Sequence, residues 1–127
     1  MRRYETAESR ARGLGSAKNG FHHWWHQRLT AVLLVPLMLW LGMGLALQAG
    51  AEFEAARDWV ANPINATLLI VAIVMLFYHG ALGVQVVIED YVHTAGLKWL
   101  SNLAVQFACL VVAVAGILAV IQITLGG

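Results

Sequence analysis

His79 is the residue of this chain best placed to do chemistry. It is the only His, Asp, Glu, Lys or Arg inside the apolar run from Ala66 to Ile88. Ionisable groups at bilayer depth are costly and rare, and they mark functional sites with a partner. Around it the chain reads Phe77-Tyr78-His79-Gly80-Ala81-Leu82-Gly83. Gly80 is its neighbour, and Gly83 lies one turn on along the same helix face. Two glycines beside an imidazole leave room for something flat and bulky against the helix. A porphyrin has that shape, and imidazole is a standard axial ligand of haem iron. The alternative is a histidine hydrogen-bonded to a neighbouring helix, with the glycines serving close packing. Zinc fits less well, because no cluster of further ligands shares that depth.

Eleven residues after His79, where the apolar run ends, come Asp90 and Tyr91, preceded by Glu89. A helix turns about 100° per residue, so position i+11 returns to within roughly 20° of position i after about 16 Å of rise. His79 and Asp90 therefore share a face, one near the membrane middle and the other at its edge. A Tyr hydroxyl can donate a hydrogen bond, and a nearby carboxylate can hold it or pass protons. A quinone carbonyl needs such groups as it is reduced. The alternative is an ordinary interfacial helix end. Arg28 opens the first apolar run behind His22, His23 and His26. It is either a cation snorkelling to lipid phosphate or a bidentate partner for a carboxylate on a cofactor. The three histidines, at i, i+1 and i+4, make at most a two-His pair, so a surface metal site is not expected there.

These residues need membrane helices to position them. The chain has 127 residues, 60% hydrophobic and 12% charged. Three runs lack Asp, Glu, Lys and Arg: residues 29–49, 66–88 and about 100–125. Each has the ~20 residues needed to cross the hydrocarbon core. The expected fold is an all-α membrane protein with three transmembrane helices. Residues 1–28 form a cytoplasmic N-terminal segment and 29–127 a three-helix membrane anchor. Arg2, Arg3, Arg10, Arg12, Lys18 and Arg28 precede or open the first span, whereas the first loop sets Arg57 against Glu52, Glu54 and Asp58. Lys and Arg bias orientation, which predicts a cytoplasmic N-terminus and a C-terminus on the opposite side. A bacterial inner membrane is the simplest location, and a mitochondrial inner membrane would look the same. Residues 1–20 are expected to be extended until they meet a partner, and they lack the apolar core of a secretory signal. Pro36 is a candidate kink, Glu52 to Val60 a candidate surface helix, Asn62-Pro63 a turn, and residues 91–99 an inner loop broken at Gly96. Cys109 reads as a packing residue. Three helices with one buried His make an incomplete unit, so partner subunits are expected.

Together these features resemble the hydrophobic membrane-anchor subunits of succinate dehydrogenase, respiratory complex II. The resemblance rests on Gly20-Phe21-His22-His23-Trp24, on Gln27-Arg28-Leu29-Thr30-Ala31, and on the spacing of His79 to Asp90-Tyr91. That spacing is the specific part. The resemblance implies that His79 is one axial ligand of a b-type haem, with the second His from a companion anchor in the same complex. It implies that Tyr91 hydrogen-bonds the carbonyl of ubiquinone or another quinone, with Asp90 in support. It also implies that Arg28, with His22, lies near the haem propionates. FAD would be held by a flavoprotein subunit and the iron–sulfur clusters by an iron–sulfur subunit. This chain would carry no catalytic residue of its own. Its partners would be the companion anchor, those two subunits, lipid and quinone, with no nucleic acid. The residue after His22 is His23 here and acidic in some relatives.

Two other readings stand beside this one. A fumarate reductase anchor would share the architecture with electrons flowing the other way. A cofactor-free structural subunit of another respiratory complex would leave His79 replaceable without spectroscopic effect. A transporter subunit expects polar groups lining a path through several helices, and these spans hold few.

Overall fold

The computed structural model describes residues 17–126, with side chains from Phe21 onward. Among the described residues four helices follow one another: α1 (Ala17–Gln48), α2 (Phe53–Ala61), α3 (Pro63–Tyr91) and α4 (Ala95–Thr124). Three of them, α1, α3 and α4, are long and apolar enough to cross a membrane. At 1.5 Å per residue their 32, 29 and 30 residues make about 44–48 Å of helix, more than the ~30 Å hydrocarbon core. Their ends therefore stand in the interfacial zones.

α3 is the middle element, packing on α4 and on α1. Both neighbours run antiparallel to it. Across the first interface Thr30 meets His79 and His26 meets Tyr78. Across the second, Gly116 lies against Ile73, and Lys98 reaches the Glu89 carbonyl.

The inward face of α1 is built at alternating spacings of four and three. His23, Gln27, Thr30, Leu34, Leu37, Leu41 and Gly44 are each less exposed than their neighbours on the outer face. This 3.5-residue period is the seam of two helices packed side by side. Its N-terminal positions are polar and its remaining positions apolar. Few apolar side chains are buried inside the chain itself: Leu34, Ala66, Ala72, Ile88 and Val120. Many larger ones, such as Leu39, Phe107 and Leu118, are exposed. In a bilayer that apolar exterior meets lipid tails or partner helices.

The connection between α1 and α3 has its own anchor. Gly50 adopts a left-handed φ of 83° just past α1, a conformation glycine takes without steric cost. The short α2 then lays Trp59 onto Gly44, where a Cβ would collide with the indole. The Trp59 ring also stacks on Trp40 at 5.6 Å, and its carbonyl accepts from Asn65 Nδ2 at 2.8 Å. Asn62 caps α3, its side chain accepting from the Ile64 and Asn65 amides, with Pro63 in the first helical position. Proline there loses nothing, because that N–H has no partner within a helix.

The spans expected over 29–49, 66–88 and 100–125 fall within helices to a residue at their C-terminal ends, but the helices are longer. α1 is already helical at Ala17, so the last four residues of the stretch expected as extended are helical. Residues 1–16, including Arg2, Arg3, Arg10 and Arg12, lie outside the described residues. α1 also continues through Pro36, which neighbouring groups make tolerable in membrane helices. The expected inner loop over 91–99 shrinks to Val92–Thr94, and Gly96 lies inside the first turn of α4. The Lys98 amide donates to the Thr94 carbonyl at 2.9 Å and closes that turn. A glycine there breaks no ladder, since the first four amides of a helix lack internal partners anyway.

Candidate functional site

His79 lies sixteen residues after Pro63 and twelve before Tyr91 on the continuous helix α3. It is half-buried and faces α1. Its Nδ1 is 2.9 Å from the Thr30 hydroxyl, the hydrogen bond its ring makes among the described residues. Thr30 is 6% exposed, the one buried polar residue of the described chain. Its hydroxyl also donates back along α1, to the His26 carbonyl at 2.7 Å and more weakly to Gln27 at 3.2 Å. One turn earlier, His26 Nδ1 and the Tyr78 hydroxyl are 2.7 Å apart. Two adjacent residues of α3 are thus tied to two residues of α1 one turn apart. Interhelical hydrogen bonds in membranes contribute roughly 0.6 kcal/mol each on average. The pair therefore orients the side chains more than it holds the bundle together.

The glycines flanking His79 behave differently from packing glycines. A Cβ on Gly80 would meet nothing within 4 Å. One on Gly83 would meet only the Gln27 amide nitrogen at 3.6 Å. Gly44 and Gly116, by contrast, are pressed by Trp59 and Ile73. Gly80 therefore serves no close contact within this chain and leaves open space beside the imidazole. Two buried polar atoms on the same side of α1, His23 Nε2 and Gln27 Oε1, have no hydrogen-bond partner among the described residues. Buried polar atoms normally find one, so this end of the α1–α3 seam is short of a partner.

Asp90 and Tyr91 end α3 rather than following it, so the eleven-residue face argument holds on one unbroken helix. Both are exposed, Tyr91 at 79%. Their neighbour Glu89 accepts from Gln85 Nε2 at 2.7 Å and, through its carbonyl, from Lys98 Nζ at 3.0 Å. Lys98 thereby pins the start of α4 to the end of α3. Arg28 is exposed and lies over the Trp24 ring at 5.5 Å. His22 is exposed, edge-on to Phe21. Neither is brought to His79 by a contact among the described residues. Among the described residues no three His, Cys, Asp or Glu side chains converge.

A separate cleft of about 560 Å³ lies between α3 and α4. Phe77, Leu82, Leu110 and Val114 line it, together with the polar residues Tyr78, Gln85 and Gln106. Its lining does not include His79, Asp90 or Tyr91, but it includes Tyr78, whose hydroxyl is bonded to His26.

Sequence reasoning missed Thr30, His26 and Tyr78 as a connected group. The available signal was the polar run His23, Gln27, Thr30 at four- and three-residue spacing, which leads a seam into an otherwise apolar span.

The geometry defines a three-span helical membrane protein with two imidazoles, His79 and His26, hydrogen-bonded across two helices and an acidic-aromatic helix end beyond them. The chain belongs to the family of succinate dehydrogenase/fumarate reductase transmembrane subunits, whose model matches residues 2–115. It is 38% identical to the succinate dehydrogenase hydrophobic membrane anchor subunit of Rickettsia bellii, over 87% of this chain and 89% of that one. The protein of the same description from Rickettsia conorii is 34% identical over 87% and 88%. That of Paracoccus denitrificans is 28% identical over 89% and 88%. No solved structure gives a significant match. The resemblance read from the sequence is borne out.

Proposed function

We propose that this chain is a hydrophobic anchor of succinate dehydrogenase in a bacterial inner membrane, with its N-terminus in the cytoplasm. In this role it holds the flavoprotein and iron–sulfur subunits at the membrane, pairs with a second anchor, and contributes to a haem site and a quinone site. The names of its relatives favour succinate oxidation over fumarate reduction. The observation that carries the site reading is the His79–Thr30 hydrogen bond at 2.9 Å. It occupies Nδ1 and orients the ring, as the outer partner of a metal-bound histidine does.

The residues present fit a haem. His79 would supply one axial nitrogen, with the open space beside Gly80 receiving part of the ring. The second imidazole would come from the companion anchor. Arg28 and His22 would sit toward the propionates, and His23 Nε2, without a partner among the described residues, would be a further donor in its Nε2-protonated form. A bound b-type haem supplies a one-electron redox centre. At the edge of the bundle, the Tyr91 hydroxyl would donate to a quinone carbonyl, and Asp90 would relay protons from water. Both are exposed in the isolated chain, so the partner subunits would supply the other walls.

Affinity capture tests the role. A tagged copy of this chain, drawn from detergent-solubilised membranes, is expected to bring with it succinate-dependent quinone reduction. Capture of an intact complex without that activity would overturn the assignment.

A further inference from the structure

We infer that Thr30 is a positioning residue that fixes the tautomer of His79 so that Nε2 is the nitrogen presented to a metal. The inference deepens the reading of His79 as an axial ligand and rests on it. It starts from a count of protons. The Thr30 hydroxyl has one hydrogen and two acceptor lone pairs. Its oxygen lies 2.7 Å from the His26 carbonyl oxygen. Neither oxygen has another proton to place between them, and a carbonyl only accepts. At that distance the hydroxyl hydrogen must point at His26.

The Thr30 oxygen therefore faces His79 with a lone pair. A contact of 2.9 Å to Nδ1 is a hydrogen bond only if Nδ1 carries the proton. A neutral imidazole protonated at Nδ1 has its lone pair on Nε2. The helix sets the whole arrangement: Thr30 reaches back four residues to His26, a bond Ser and Thr side chains make inside helices. α1 thus orients a hydroxyl that α3 alone could not. Burial of Thr30 at 6% exposure keeps water from competing for its hydroxyl.

An acceptor on the far N–H of a ligating histidine raises the ligand's basicity and is worth 10–100-fold in metal affinity when lost. A more basic imidazole favours ferric over ferrous iron. Removal of the Thr30 hydroxyl should therefore raise the haem midpoint potential.

The test uses the intact membrane complex carrying Thr30→Val, Thr30→Ala or Thr30→Ser, beside His79→Ala. Haem content, the ferric electron paramagnetic resonance spectrum and the midpoint potential are read. Val and Ala are expected to keep haem but shift the potential upward by about 59 mV, the equivalent of tenfold for a one-electron couple. Their ferric spectra should change, and Ser should restore both. An unshifted potential and spectrum in Val and Ala, with haem lost in His79→Ala, would overturn the role of Thr30 and leave His79 as a ligand. Haem unaffected by His79→Ala would overturn both. If neither hydroxyl-free variant assembles, Ser decides: wild-type potential supports the inference, and a shift despite the retained hydroxyl refutes it.

Discussion

Gly44→Ala puts the packing of α2 on α1 to a quantitative test. A Cβ at Gly44 would strike Cζ2 of Trp59, with Cη2 3.0 Å and Cε2 3.3 Å from the same point. The indole cannot simply withdraw. It stacks on Trp40, and its backbone carbonyl is held by Asn65. Overpacking of this kind costs about 1–3 kcal/mol. Against it stands the helix preference for Ala over Gly, up to roughly 1 kcal/mol. Gly42, on the same helix, meets nothing within 4 Å, so Gly42→Ala reads the preference alone. The difference between the two variants should be about 1–3 kcal/mol, roughly 5- to 150-fold in the folded ratio. Denaturant unfolding followed by tryptophan emission measures it. The same Gly44→Ala change on a Trp59→Leu background should cost little, because the colliding ring is gone. Equal stability of the Gly44 and Gly42 variants, or an unchanged cost without Trp59, would refute the reasoning.

Other outcomes follow from the same geometry. Tyr91→Phe should leave succinate oxidation by an artificial acceptor intact and lower kcat/KM for quinone by about fivefold, the equivalent of one hydrogen bond of roughly 1 kcal/mol. Steady-state assays with both acceptors separate the two, and equal losses in both would count against a quinone contact. Asn62→Ala removes the cap of α3, which accepts from two amides, and should destabilise the folded chain by ~1 kcal/mol. Unfolding midpoints check this, and Asn62→Asp should keep most of the cap.

Much of this fold was legible because the bilayer imposes length and composition. Three uncharged runs of spanning length could be little else, and Asn62-Pro63 announced the start of α3 through cap chemistry. The ends were harder to read. Residues 17–28 mix Phe21, Trp24 and Trp25 with histidines and charged or amide side chains, so no continuous apolar run marks the first three turns of α1, and Gly96 reads as a break although a first turn tolerates it. The inward faces were hidden for a related reason: with apolar residues on every side, periodicity does not tell which side another helix covers. At the site, His79 stood out by its cost in a membrane and Asp90-Tyr91 by their spacing. Thr30 did not, because a hydroxyl in an apolar span has a ready local partner one turn back. Its second bond, to a residue 49 positions away, exists only once α1 and α3 pack.

The central claim is that His79 ligates a haem. Its most direct test is a reduced-minus-oxidised optical spectrum of the purified membrane complex, wild type beside His79→Ala. A b-type band present in the wild type and lost or shifted in the variant is the predicted result. An identical band in both samples, or none in the wild type, would contradict it.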